Sequence, residues 1–137
     1  THCTVVLDLH HSSYADDHFE LAVSMAASIA AAAAIADVPL RMVAHGVGLQ
    51  GPDAVARTMR WLALVAPLAA PSHIDLGAHG DGLSLLVAIG GEGSDTFINS
   101  IRHTAGPDDI VVALKAGEPE LSDLEHFALL WSRWVDG

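Results

Sequence analysis

The sequence has few basic residues, and this shortage limits what the protein can bind. Six Lys and Arg stand against 17 Asp and Glu, which gives a formal net charge of −11 over 137 residues. Lys and Arg supply most of the attraction of proteins for phosphate groups, so this balance argues against a nucleic-acid binder and against direct contact with an anionic membrane. A cation or a basic protein partner fits the charge better.

The printed sequence also shows no second cysteine, no signal-peptide pattern and no long hydrophobic run. Cys3 alone cannot form an internal disulfide, so nothing requires an oxidising compartment. The longest uncharged stretch, residues 21–36, is rich in Ala and shorter than the ~20 apolar residues of a membrane span, which predicts a buried helix. We therefore expect a cytoplasmic-type soluble domain that does not itself contact a membrane.

The beginning of the chain indicates a fragment. Thr1 is not an initiator Met, and the sequence enters a predicted strand almost at once. No internal repeat and no linker-like stretch divides the chain into smaller units. We expect residues 1–137 to be one domain excised from a longer protein.

The order of apolar patterns predicts the fold class. Short β-branched and apolar runs predict strands at residues 3–9, 40–44, 84–89 and 109–114. Helical periodicity predicts helices at residues 17–36, at residues 52–66, at residues 95–103, and from Ser122 onward. Strands that alternate with helices, without hairpin signals, predict an α/β fold: a three-layer, doubly wound, mostly parallel sheet of the Rossmann-like kind. Ligands of such sheets gather at the carboxyl ends of the strands.

The most suggestive motif, Asp8-Leu9-His10-His11-Ser12, stands at the end of the first predicted strand. It is similar to the start of the metal-ion-dependent adhesion site of von Willebrand factor A domains, with His10 in the place of the first hydroxyl. Carboxylate and hydroxyl oxygens suit Mg²⁺, whereas imidazole suits Zn²⁺ and other transition metals. The predicted metal ligands are Asp8, His10 and Ser12, in a degenerate site for Mg²⁺ or another divalent cation. The alternative is a solvated loop that caps a helix.

A wider resemblance covers residues 4–66. The strand that ends at Asp8, the pair Phe19-Glu20, the run Ala26-Ala27-Ser28 and the strand at residues 40–46 resemble the C-terminal part of the bacterial family called domain of unknown function 58. The resemblance implies a von Willebrand A-like fold within a larger, often membrane-anchored protein. It also implies a role in assembling or activating other proteins, beside a MoxR-type AAA+ ATPase.

The loop Gly90-Gly91-Glu92-Gly93-Ser94 also comes after a predicted strand. Backbone N–H groups in such a loop can bind an anion, but no Lys of a phosphate loop accompanies it and Glu92 is acidic. A tight turn is the favoured interpretation.

Together these features predict a protein-interaction or assembly domain that is not an enzyme, has no catalytic residue and retains a vestigial cation site. Its partner would be an AAA+ ATPase or a client of that ATPase. The predicted interaction surface consists of His11, Ser13, His45 and Glu92. The alternative is a metal-dependent, phosphatase-like hydrolase that uses Asp8 with His10 and His11.

Overall fold

The computed structural model describes residues 2–76, 84–117 and 121–136. Within them the chain forms the strands β1 (His2–Leu7), β2 (Leu40–Ala44), β3 (Val47–Leu49), β4 (Ser84–Gly90) and β5 (Ile110–Lys115). The helices are α1 (His18–Ile35), α2 (Ala54–Leu64), α3 (Asp95–Thr104) and α4 (Leu121–Asp136). One turn of 3₁₀ helix, His11–Ser13, lies between β1 and α1.

The five strands form one sheet in the order β3-β2-β1-β4-β5. β1 lies in the middle, where Val5 pairs with Met42 on one side and with Val87 on the other, both in parallel. β5 pairs with β4, also in parallel. A continuous apolar run suits such a central strand, because both of its faces are covered. The predicted α/β fold with a mostly parallel sheet is confirmed.

The edge strand β3 corrects the sequence prediction, which made residues 45–51 a loop and found no hairpin signal there. β3 pairs antiparallel with β2, and Ala44 stands opposite Val47 across a turn of two residues. Gly46 takes a positive φ of 69° in that turn, a conformation that glycine adopts without steric cost. The hairpin was missed because β3 has three residues with Gly48 at its centre, too few for an alternating pattern.

Side chains of the strands alternate between two hydrophobic clusters, one on each face of the sheet. Val5 belongs to the cluster that includes buried residues of α1 and α2 and partly buried aromatic residues of α4. Val6 belongs to the other cluster, with Ile98 and Ile101 of α3 and with Leu76. Apolar burial on both faces explains why the strands read as continuous apolar runs.

Helix α1 packs on the sheet through small side chains. Its buried residues recur at three- and four-residue steps: Phe19, Ala22, Ala26, Ile29, Ala30 and Ala33. The helix is long and apolar enough to cross a membrane by length and composition, a property shared by core helices of globular proteins. Its contacts with β1, β4 and α2 are those of a core helix.

The segment after α2 returns across the carboxyl ends of the central strands. Leu68 N–H donates to the carbonyl of Leu9 at 2.7 Å, and His11 N–H donates to the carbonyl of Leu68 at 2.8 Å. This short parallel pairing fixes the position of Ser72, four residues later, beside the end of β1.

Candidate functional site

Asp8 lies at the carboxyl edge, directly after the central strand β1, and is only 1% exposed. Its Oδ1 accepts hydrogen bonds from the Ser72 hydroxyl at 3.1 Å and from the backbone N–H of His10 at 3.0 Å. Its Oδ2 accepts one from the Ser94 hydroxyl at 2.7 Å. Three separate segments therefore meet at one carboxylate, which compensates for the removal of its charge from water.

The two hydroxyls that bind Asp8 also accept hydrogen bonds. Ser72 Oγ accepts from Leu9 N–H at 3.0 Å, and Ser94 Oγ accepts from Gly91 N–H at 2.9 Å. The Tyr14 hydroxyl donates to the carbonyl of Asp8. Burial, together with the charges of Asp8 and Glu92, raises the pKa of the Tyr14 phenol far above its ordinary value of 10.0. Tyr14 therefore stays a neutral donor, and the network remains connected.

The glycines after β4 leave room for this network. A Cβ at Gly90 would lie 2.3 Å from Ser94 Oγ, and one at Gly91 would lie 2.4 Å from the carbonyl of Ser13. The N–H groups of this turn bind protein oxygens: Gly93 donates to Ser13 at 2.9 Å and Ser94 donates to Gly91 at 3.1 Å. With Gly91 bound to Ser94 Oγ, these three N–H groups are engaged within the protein and do not form an anion-binding loop.

Glu92 joins the same turn to the start of α1. Its Oε2 accepts from Ala15 N–H at 3.1 Å, and its Oε1 lies 2.5 Å from His18 Nδ1. Hydrogen bonds from its own backbone N–H and from Ala15 N–H, together with His18, hold the pKa of the Glu92 carboxyl below its ordinary value. Gly117 lies against this pair with φ +103°, and a Cβ there would come within 2.5 Å of both side chains.

A cleft of about 390 Å³ opens above the Asp8 network. The segment after β1 contributes His10, the segment after α2 contributes Ser72, and α3 contributes Thr96, Phe97 and Ser100. The lining combines hydroxyls, one imidazole and one aromatic ring with the apolar Pro71, Ile74 and Ile101, over a buried carboxylate. No Lys or Arg lines it among the described residues, so it suits a neutral or positively charged group.

The structure places two of the three predicted metal ligands in the cleft. His10 lines the cleft with Asp8, whereas Ser12 is exposed on the 3₁₀ turn. The described hydroxyls that bind the carboxylate of Asp8 belong instead to Ser72 and Ser94. In the described parts of the chain, no three His, Cys, Asp or Glu side chains come together as a metal site.

The predicted interaction residues are distributed around this edge. His11 is exposed on the 3₁₀ turn, and Ser13 is buried beneath Gly93. His45 comes directly after β2, and its Nδ1 accepts from the backbone N–H of His73 at 3.0 Å. Glu92 is exposed beside His18. Of these four residues, Ser13 alone lines the cleft.

Sequence reasoning missed Ser72, Ser94 and Tyr14. Ser72 and Ser94 lie 64 and 86 positions from Asp8, and only the sheet order brings them together. The usable signal was weak: Gly90 and Ser94 stand at the end of the strand next to β1, where small residues permit a close approach. Comparisons of the chain with protein families, with curated proteins and with solved structures find no match.

Proposed function

We propose that this chain is a von Willebrand A-like domain that binds a protein partner through the carboxyl edge of its sheet and catalyses no reaction. The central strand β1 is followed directly by Asp8, and apolar clusters with helices lie on both faces of the sheet. These features support the three-layer arrangement that the resemblance over residues 4–66 implies. The proposed partner is a MoxR-type AAA+ ATPase or its client protein.

The observation that carries the proposal is the set of hydrogen bonds around Asp8. The carboxylate accepts from Ser72, Ser94 and His10 and is almost fully buried, so it is poorly placed to act as a base or a nucleophile. It instead fixes the three segments that form the walls of the cleft. Loops held in advance lose less conformational entropy when a partner binds, which favours affinity.

The charge around the cleft favours a basic partner segment. Asp16, Asp17 and Asp95 are exposed near the carboxyl edge, and Glu92 is exposed beside the cleft. Lys115 forms an ion pair with Asp95. Complementary charge speeds the encounter of two proteins and selects between partners more than it adds affinity. The partner segment that fits best therefore carries Lys or Arg next to a neutral side chain that enters the cleft.

A divalent cation is not needed for this binding. Asp8, Ser72 and Ser94 offer the oxygen atoms that Mg²⁺ prefers, but the two hydroxyls already donate to the carboxylate. Only one carboxylate is present among these groups. We propose that hydrogen bonds here take the place of a cation, and that the predicted site with Asp8, His10 and Ser12 is vestigial.

The second candidate function is the phosphatase-like hydrolase. One observation favours it, because His10 lines the same cleft as Asp8. The hydrogen bonds around Asp8 oppose it, since a nucleophilic carboxylate needs a lone pair directed at the substrate. Phosphatase turnover with a generic phosphate ester, lost in Asp8→Asn, would establish this function instead.

The test is binding to the purified MoxR-type AAA+ ATPase encoded beside the gene, measured by titration calorimetry. Ser100→Arg places a long side chain at the cleft, whereas Ser28→Arg adds the same side chain to an exposed position of α1. We expect wild type and Ser28→Arg to bind equally, and Ser100→Arg to bind about tenfold or more weakly, as for an obstructed contact at the centre of an interface.

Chelation of divalent cations from the domain before mixing should leave its affinity for the ATPase unchanged. Equal affinities of the two Arg variants would exclude the cleft as the binding surface. Absence of binding by the wild-type domain would overturn the proposed partner.

A further inference from the structure

The strand β5 forms an edge of the sheet, and α4 packs against it. β5 has five apolar residues and then Lys115, and it contains no Pro, Gly or bulge along its pairing with β4. Within the described part of the chain, its other side pairs with no strand. An edge strand presents a row of backbone N–H and C=O groups that readily pair with another chain.

The opposite edge shows how this sheet limits such pairing. β3 has three residues with Gly48 in the middle, and a very short edge strand is a poor template. β5 is twice as long and regular, with pairs that run from Leu85 and Ile110 to Gly90 and Lys115. The two edges therefore differ in their capacity to accept a further strand.

A groove of about 620 Å³ accompanies the open edge, between α3 and the face of β5. Val111 and Ala113 form its floor, and Asp95, Asn99 and Arg102 of α3 form its wall. Because α3 packs over β4, the neighbouring face of β5 remains accessible. A strand added beside β5 would find room there for its side chains.

We propose that β5 pairs with β5 of a second copy of this chain, antiparallel about a twofold axis at Val112, to give a continuous sheet of ten strands. In this register Val111 stands opposite Ala113, and Ile110 stands opposite Leu114. The two-residue period of a strand keeps each opposed pair on the same face, so apolar side chains meet apolar side chains throughout.

Charge selects the second copy as occupant and also selects the register. Asp109, whose Oδ2 accepts from Gly106 N–H at 2.7 Å, precedes β5, and Lys115, which pairs with Asp95, ends it. The antiparallel arrangement brings each lysine opposite the Asp109 of the other copy, so that each charge gains a further partner of opposite sign. A shift by two residues along the strand would place Lys115 opposite an apolar residue and lose both pairs.

Helix α3 adds a second complementarity. It runs opposite to the strands, with Asp95 near the carboxyl edge and Arg102 near the other edge. The twofold axis therefore sets Arg102 of one copy level with Asp95 of the other, across the joined grooves. Pairing in this orientation offsets part of the repulsion between two chains of charge −11.

The test is sedimentation equilibrium of the full chain at physiological ionic strength. Wild type should form a dimer. Lys115→Glu turns two attractions per dimer into two repulsions, so we expect dimerisation to weaken about tenfold. The double variant Lys115→Glu with Asp109→Lys restores opposite charges and should recover most of the loss. Asp53→Asn removes an exposed carboxylate that pairs with Arg57 at the start of α2, a helix on the β2 and β3 side of the sheet, and should leave the dimer intact.

A variant that keeps both Asp109 and Lys115 serves as an independent check. Val111→Lys places a charge on the accessible face of β5, as natural edge strands often do, and should give a monomer with an unchanged circular dichroism spectrum. A monomeric wild type would overturn the proposal, and so would a double variant as weak as Lys115→Glu. If monomeric Val111→Lys still binds the AAA+ ATPase, the dimer surface at β5 and the ATPase surface at the cleft are distinct.

Discussion

The two ends of β1 bury polar side chains in opposite ways. At the carboxyl end, Asp8 receives hydrogen bonds from three segments. At the amino end, the hydroxyls of Thr4 and of Ser84 on β4 are buried without a hydrogen-bond partner among the described residues. Both line a cavity of about 20 Å³, which is large enough for one water molecule. These buried polar side chains therefore differ in whether they form hydrogen bonds with the rest of the protein.

This difference indicates that hydrogen bonds hold the loops at the carboxyl end of the sheet in a fixed geometry. The Asp8 network joins parts of the chain that are far apart in sequence, so it orders the loops and the cleft above them. The Thr4 and Ser84 hydroxyls join nothing, and a water molecule can satisfy them without fixing any loop. The Asp8 network favours a functional surface at the carboxyl edge. The Thr4 and Ser84 hydroxyls provide an internal control for measurements of stability.

Asp8→Ala should have the largest effect. It leaves the Ser72 and Ser94 hydroxyls and the His10 N–H without their acceptor, and each buried donor left unpaired costs about 1–3 kcal/mol. We expect the free energy of unfolding to fall by about 3 kcal/mol, measured by urea denaturation. A loss below about 1 kcal/mol would mean that the network does not organise this end of the sheet.

Gly90→Ala should have the next largest effect, because its Cβ would overlap Ser94 Oγ and push that hydroxyl away from Asp8. We expect a loss of about 2 kcal/mol in urea denaturation, within the usual range for overpacking. Gly48→Ala on β3 is the matched control, since a Cβ at Gly48 has no atom within 4 Å. Equal losses in the two variants would contradict the steric account.

The contribution of Glu92 should depend on pH. Its pKa in the folded protein lies below its ordinary value of 4.5, so its stabilising effect is complete above pH 4.5 and is lost as the pH falls through the folded pKa. Glu92→Gln should therefore lower the melting temperature at neutral pH and approach wild type in acid. A difference in melting temperature that stays constant from neutral to acid pH would exclude this role of the charge.

Thr4→Val should have the smallest effect. The substitution keeps the shape of the side chain and removes a hydroxyl that has no protein partner among the described residues. We expect a change below about 0.5 kcal/mol in urea denaturation, because no protein group loses a bond. A loss as large as that of Asp8→Ala would abolish the contrast between the two ends.

The sequence predicted the periodic parts of this fold well. The boundaries of β2 were predicted to the residue, and those of β1, β4 and β5 to within one or two residues. Long apolar runs carry such information because burial on both faces repeats along the whole strand. β3 carried no such repeat, and it was missed.

The site was less predictable than the fold. Asp8 at the end of the first strand could be found from its position, because strand ends of parallel sheets collect functional groups. Its partners Ser72 and Ser94 could not be found, since hydroxyl residues are common in loops and only the order of strands makes these two neighbours. Ser12, close in sequence, was predicted as a metal ligand with Asp8, and it lies exposed on the 3₁₀ turn.

A double-mutant cycle of Asp8→Asn with Ser94→Ala, measured by urea denaturation, tests most directly whether the carboxylate acts as a hydrogen-bonding centre. We predict a coupling free energy of about 1–2 kcal/mol between the two positions, in the range for buried residues in contact. Additive losses, with coupling near zero, would contradict the account by showing that Asp8 and Ser94 act independently.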